Sequence, residues 1–318
     1  GAVFLSVHTS PLDPRPAPLT RRSLLRAGAA CSLGAAVGAS ALLSACGSGD
    51  IVSALSPTRF ISFGDGLSDV GQGGNRYTVN DDTVNIWSAK LASRYGLSLS
   101  AASAGGLGFA QGHAVGQALP LTVAQQIDAF LATHTFTATD VVLINLPMTD
   151  VLTPLAAVKT GTLSESAALA QIDATGRAHA GQVRRLVAAG AKYVVVTGVY
   201  DLGKSPWAIA QNQVGLFTTA STTLNDAFKT DGVNLGANLL YVDAAFLVNR
   251  NVLTGGTYGF VVIDKAVCTT TNALDCTPQT LVSGATASQY VFADAIHLSP
   301  ACQQQLGDYA YDQLRGRW

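Results

Sequence analysis

Four short runs rich in β-branched and aromatic residues, Phe60–Phe63, Val141–Asn145, Tyr193–Thr197 and Leu239–Val242, alternate with stretches whose apolar residues recur at helical spacing. The helical stretches are 84–95, 123–133, 167–189, 214–229 and 300–314. Strands that alternate with helices join through crossovers, and crossovers build a parallel sheet covered on both faces. The expectation is an α/β fold, a three-layer α/β/α sandwich around a central parallel sheet. Ligands of such sheets bind beyond the carboxyl ends of the strands. Asp65, Gly66 and Thr149 all fall just after strand runs.

Residues 60–69 read Phe-Ile-Ser-Phe-Gly-Asp-Gly-Leu-Ser-Asp, a strand end running into a Gly-Asp turn. Residues 292–300 read Phe-Ala-Asp-Ala-Ile-His-Leu-Ser-Pro, with Asp294 three positions ahead of His297 and a helix start next to both. A His that serves as general base needs a carboxylate on its second ring nitrogen, to fix the tautomer and stabilise the imidazolium. Between these ends lie Gly108-Phe-Ala-Gln-Gly-His-Ala114, Pro147-Met-Thr-Asp150 after the second strand run, and Val199-Tyr-Asp-Leu-Gly-Lys-Ser-Pro206. In this order and spacing the blocks resemble those of the GDSL, or SGNH, ester hydrolases, from about Phe60 to the last helix.

That resemblance implies a flavodoxin-like SGNH-hydrolase domain, carboxylic ester hydrolysis, and no metal or organic cofactor. It also implies roles: His297 as base, Asp294 as its orienter, and Gly66, Gly112 and Thr149 as oxyanion donors. Two positions depart from the family pattern. The nucleophilic Ser of the first block is Gly66 here, and the Asn of the Gly-x-Asn-Asp stretch is Thr149. Losing the nucleophile of a triad costs on the order of 2 × 10⁶ in turnover. From a median near ~10 s⁻¹ that leaves less than about one event per day. Ser68 is one candidate to replace the missing hydroxyl, but two residues on it is expected to belong to the first helical turn and to point elsewhere. The remaining routes are a water beside Gly66, activated directly by His297 and Asp294, or a catalytically inactive pocket that binds an acyl or glycan ligand. The implied partner is an ester, an acyl-lipid or an acylated glycan.

The first 46 residues read as an export signal. Arg21 and Arg22 form a twin arginine ahead of an apolar, Ala-rich stretch from Ala27 to Leu43, too short for a comfortable membrane span. The stretch ends in Leu43-Ser-Ala-Cys46, which resembles a lipobox, so Cys46 is expected to carry a lipid anchor and place the chain in the periplasm or at the outer membrane. Residues 47–57 read as a small, polar tether, and 58–318 as the hydrolase-like domain.

A net charge of −1 with 12% charged residues argues against nucleic acid as a partner, which needs a basic patch. Cys268 and Cys276 bracket a short loop and in an exported protein read as a disulfide; no further Cys or His stands at ligand spacing for a metal pair. Cys302 reads as a buried thiol and Trp87 as core. Asn75, Tyr77 and Asn80 read as a solvated loop, and His113 as a loop residue beside the pocket. No Gly-x-Ser-x-Gly elbow is present, which argues against the other common esterase fold.

Overall fold

In the computed structural model the described residues are 53–113, 118 and 120–318. The stretch expected to act as an export signal, with its twin arginine and Cys46, lies outside them. Strands β1 (Arg59–Phe63), β2 (Asp140–Asn145), β3 (Tyr193–Thr197) and β4 (Leu239–Val242) form one parallel sheet in that order. All six residues of β2 are buried, and four of the five in β1 and in β3. This is why these strands read as unbroken apolar runs and not as alternating ones.

Helices cover both faces. On one side α2 (Val123–Leu131), α3 (Thr149–Lys159), α4 (Glu165–Ala188) and α6 (Val214–Asp231) pack together; on the other α1 (Trp87–Arg94), α7 (Ala244–Leu253) and α8 (Pro300–Arg317) do so. Polar residues set several of the starts. Thr122 and Gln125 form a reciprocal capping box at α2, Ser164 caps α4, and Ser299 caps α8 with Pro300 in its first turn.

The edge of β1 away from β2 is also used. Ser62 N–H donates to Leu107 O at 3.1 Å, and Phe109 N–H donates to Ser62 O at 2.7 Å. After α1 the chain therefore runs along that edge before α2 returns it to β2, and the winding direction reverses between β1 and β2. A crevice opens beyond the carboxyl ends of two strands at such a reversal, and the candidate site lies there.

The three-layer sandwich and its four strands agree with the sequence expectation. Helices α3 and α7 were not legible, and neither were the short α5 (Pro206–Ala210) nor the separate two-stranded parallel sheet of β5 (Val262–Ala266) and β6 (Tyr290–Phe292). In α3 the internal Pro154 reads as a breaker. The residues of β5 are half-buried or exposed without alternation, so no period marks it. The tether also needs correction. Leu55 is 7% exposed and packs into the main core, so ordered structure begins before residue 58.

Candidate active site

The turn after β1 is pressed against the end of β2. Gly64 has φ +144°, and a Cβ there would lie 1.9 Å from Asn145 Oδ1, so only glycine fits. The next residue, Asp65, points across the crevice. Its Oδ1 accepts from Leu67 N–H at 2.9 Å and from Asn145 Nδ2 at 2.6 Å, and its Oδ2 accepts from Met148 N–H at 2.7 Å. Asp65 N–H returns a bond to Asn145 Oδ1 at 3.2 Å. Burial raises the pKa of Asp65, while these donors pull it down. With its oxygens occupied, Asp65 is a clamp that joins the turn after β1 to the start of α3.

His297 and Asp294 meet as their spacing implies. His297 Nδ1 lies 2.8 Å from Asp294 Oδ2, while Asp294 Oδ1 accepts from the amides of Ile296 at 2.9 Å and His297 at 2.7 Å. Two bonds from the 199–207 segment hold this turn from outside: Tyr200 Oη donates to Ile296 O at 2.6 Å, and Trp207 N–H donates to Ala295 O at 2.9 Å. Burial opposes charge on both partners, and the pairing outweighs it. Asp294 is held well below the usual carboxylate range by the His297 charge and by hydrogen bonds from that ring and two amides. His297 is raised above its ordinary value by the charge and hydrogen bond of Asp294 and by the charge of Asp65.

These directions set a pH dependence. A general base works when neutral, so turnover through His297 is expected to fall on the acid side with a midpoint above about 6.5. Stability runs the other way. The Asp294 contribution is present above its unfolded value and is lost as pH falls through the depressed folded one. The His297 contribution is complete below its unfolded value and is lost as pH rises through the raised folded one. The pair therefore stabilises most between about pH 4 and 6.5. Chemical denaturation across pH, set beside a pH–rate profile, checks both limbs. A rate midpoint below the ordinary histidine value contradicts the pairing.

Gly66 stands directly beside the imidazole. A Cβ at this position would lie 3.1 Å from His297 Nε2 and 3.0 Å from Tyr77 Cγ. The Tyr77 ring lies against His297, with centroids 5.1 Å apart, and a Cβ on Gly112 would come within 2.2 Å of Tyr77 Cε2. The bare Gly112 backbone thus makes room for the Tyr77 ring, which stands against Gly66. Tyr77 is only 3% exposed, and burial with the charges of Asp69, Asp275 and Asp65 pushes its phenol up to about 12. This corrects the solvated-loop reading at Tyr77. Asn80 is tied down as well, donating to the carbonyl oxygens of Ala273, Leu274 and Cys276, whereas Asn75 is exposed as expected and donates to Leu274 O at 3.0 Å. No local signal marks Tyr77, because what makes room for it is an absent side chain elsewhere in the chain.

The oxyanion donors named from sequence separate into two groups. Gly66 and Thr149 both line the cleft, and among the described residues neither the Gly66 amide nor the Thr149 hydroxyl has a hydrogen-bond partner. Gly112 also lines the cleft, but its N–H donates to Asp69 Oδ2 at 3.0 Å, so that amide is committed and the expected role is corrected. Ser68 is fully buried and accepts from Trp87 Nε1 at 2.8 Å, which keeps its hydroxyl in the core. Cys268 and Cys276 are bonded to each other, and Cys302 is a buried thiol pushed up to about 12 by burial.

The cleft in front of His297 has a volume of about 310 Å³. Met148, Leu152, Trp207 and Ile296 supply an apolar wall, and His113, Thr271 and Asn272 complete the rim. No cluster of three metal-ligating side chains occurs among the described residues.

A His–Asp pair thus lies at the switch point of a parallel α/β sheet, facing a cleft beside the turn after β1. The chain belongs to the GDSL-like lipase/acylhydrolase family, whose model matches residues 60–310. A GDSL esterase/lipase of Arabidopsis thaliana is 30% identical over 136 residues, a match that spans 36% of this chain and 36% of that protein. Among solved structures, a GDSL-family lipolytic protein from Veillonella parvula is 12% identical, with 80% of this chain and 96% of that chain covered at a TM-score of 0.42. Est24, a carbohydrate acetylesterase from Sinorhizobium meliloti, is 16% identical, with 81% and 99% covered and a TM-score of 0.42. Likenesses of this size do not bear on substrate.

Proposed function

We propose that this chain is a carboxylic ester hydrolase with a non-classical site, in which His297 activates water in place of an enzyme hydroxyl. The observation that carries the reading is the intact His297–Asp294 pair, with Nε2 3.1 Å from the position a Cβ would take on Gly66. His297 Nε2 takes a proton from water, and the oxygen attacks the acyl carbon. In this reading the Gly66 amide and the Thr149 hydroxyl, which both line the cleft, donate to the resulting oxyanion. Collapse breaks the bond to the alcohol oxygen, and the imidazolium returns its proton to that leaving group. The products are a carboxylic acid and an alcohol, with no acyl-enzyme between them. The apolar wall suits the acyl group, and the substrate class is a lipid, an acylated sugar or another short acyl ester.

A second reading has its own support. The committed Gly112 amide and the Tyr77 ring against His297 favour a site that binds an acyl or glycan ligand and does not cleave it. Hydrolysis of p-nitrophenyl butyrate separates the two. The hydrolase reading expects slow turnover with no pre-steady-state burst, abolished in His297→Ala. Turnover that survives in His297→Ala, or none in the parent, sinks it.

The twin arginine, the apolar stretch and Cys46 support a lipid anchor that would hold this activity at a membrane, in the periplasm or at the outer membrane. Among the described residues no helix is long and apolar enough to cross a membrane. Expression of the full chain is expected to leave the protein in the detergent phase on Triton X-114 partition, and Cys46→Ser to move it to the aqueous phase. Equal partition of both proteins overturns the anchor.

A further inference from the structure

We propose that the disulfide-closed loop from Cys268 to Cys276 is a positioning element for His297, acting through Asp294. The inference rests on His297 being the working base, but its readout is the imidazole itself and does not depend on turnover.

Asp294 Oδ1 is held by amides of its own turn, and Oδ2 is the oxygen that meets His297 Nδ1. Among the described residues the one other donor to Oδ2 is Ala273 N–H, at 2.8 Å, from inside the disulfide loop. It therefore fixes the rotation of the carboxylate about its anchored oxygen, and with it the plane of the imidazole. The start of the loop is registered on the same stretch: Val267 N–H donates to Phe292 O at 3.1 Å and Cys268 N–H to Ala293 O at 2.9 Å. The Cys268–Cys276 bond then returns the chain, with the two Cα atoms 5.9 Å apart, so that the short turn at Ala273–Asp275 sits over Asp294.

The apolar packing beneath this turn is slight. Val79, Val267, Cys268, Ala273, Cys276 and Ala293 form a small cluster separate from the main core. A cluster of that size does not hold a loop unaided, and small cores are commonly stapled by disulfides. The same loop reaches the other neighbour of the imidazole. The Asn80 amide group bonds three of its carbonyls and Asn80 N–H donates to Cys276 O at 2.9 Å, while Thr78, beside Tyr77, donates to Leu298 O at 2.9 Å. One covalent closure thus fastens the donor to Asp294 and the segment that carries Tyr77.

Two variants of the full chain test this by proton NMR of the His297 ring. Ala273→Pro removes the N–H and leaves the disulfide. Pro suits the first position of the turn, and Asn272 before it is already extended. Cys268→Ala with Cys276→Ala opens the loop. In the parent the Nδ1 proton shared with Asp294 is expected as a downfield resonance, slow to exchange, with a raised imidazole titration. In both variants that resonance is expected to be lost and the titration to move down toward that of a free imidazole, with the circular dichroism of the fold retained. If Ala273→Pro, folded and still disulfide-bonded, keeps the resonance and the raised titration, the proposal is overturned, whatever the cysteine variant does to stability.

Discussion

Gly66→Ser is expected to raise turnover of short aryl esters by on the order of 10³, and to introduce a burst equal to the enzyme concentration. The new Cβ would lie 3.1 Å from His297 Nε2, close enough for an Oγ attached to it to be expected within hydrogen-bond reach of the base. Restoring a nucleophile addresses a deficit of about 10⁶. The full factor is not recovered, because the Gly112 amide is held by Asp69, and one missing oxyanion donor costs about 10²–10³. Tyr77 has to give by a few tenths of an ångström, since its Cγ stands 3.0 Å from the new Cβ. Gly66→Ala is the control. It makes the same contact without a hydroxyl, fills the space where water would be activated, and is expected to abolish the parent's turnover. Burst kinetics on the three proteins decide the matter, and a Gly66→Ser variant no better than Gly66→Ala would mean that His297 is not aligned on this position.

Gly64→Ala is expected to be the most destabilising single substitution in the first block. At φ +144° an L-residue is strained by ~1–3 kcal/mol. Its Cβ would also overlap Asn145 Oδ1, forcing apart the Asp65–Asn145 bonds and leaving buried polar groups unpaired, at roughly 1–3 kcal/mol for each. The sum, about 4 kcal/mol or more, belongs to the small class of severe substitutions. Thermal unfolding followed by circular dichroism should show a midpoint lower by on the order of 10 °C. A shift of only a degree or two would show that the turn relaxes away from β2.

The layer order, the four strands of the main sheet and the placement of Asp65, Gly66, Asp294 and His297 beside strand ends or a helix start were all legible from the sequence. Each rests on a local signal. Burial on both faces writes a strand as an unbroken apolar run, a Ser-Pro pair opens α8, and a three-residue offset in a turn brings Asp294 onto His297. Read from the order of its blocks, the same sequence also carried the family and the absence of a serine at position 66.

Only the tertiary structure decided what surrounds that absence. Tyr77 lies 11 residues after Gly66 and 35 before Gly112, yet its ring occupies the space Gly112 leaves and stands against Gly66. The Gly112 amide is bound to Asp69, and Ala273 reaches Asp294 from a loop that looked like a plain disulfide clip. Asp65 became a clamp because burial and three donors converge on it from its own turn, the end of β2 and a helix start. These facts depend on which distant groups share a volume of a few ångströms. Periodicity and motif report how a segment meets solvent and its own neighbours in the chain, whereas close packing alone determines which remote side chain fills the room that a missing Cβ leaves.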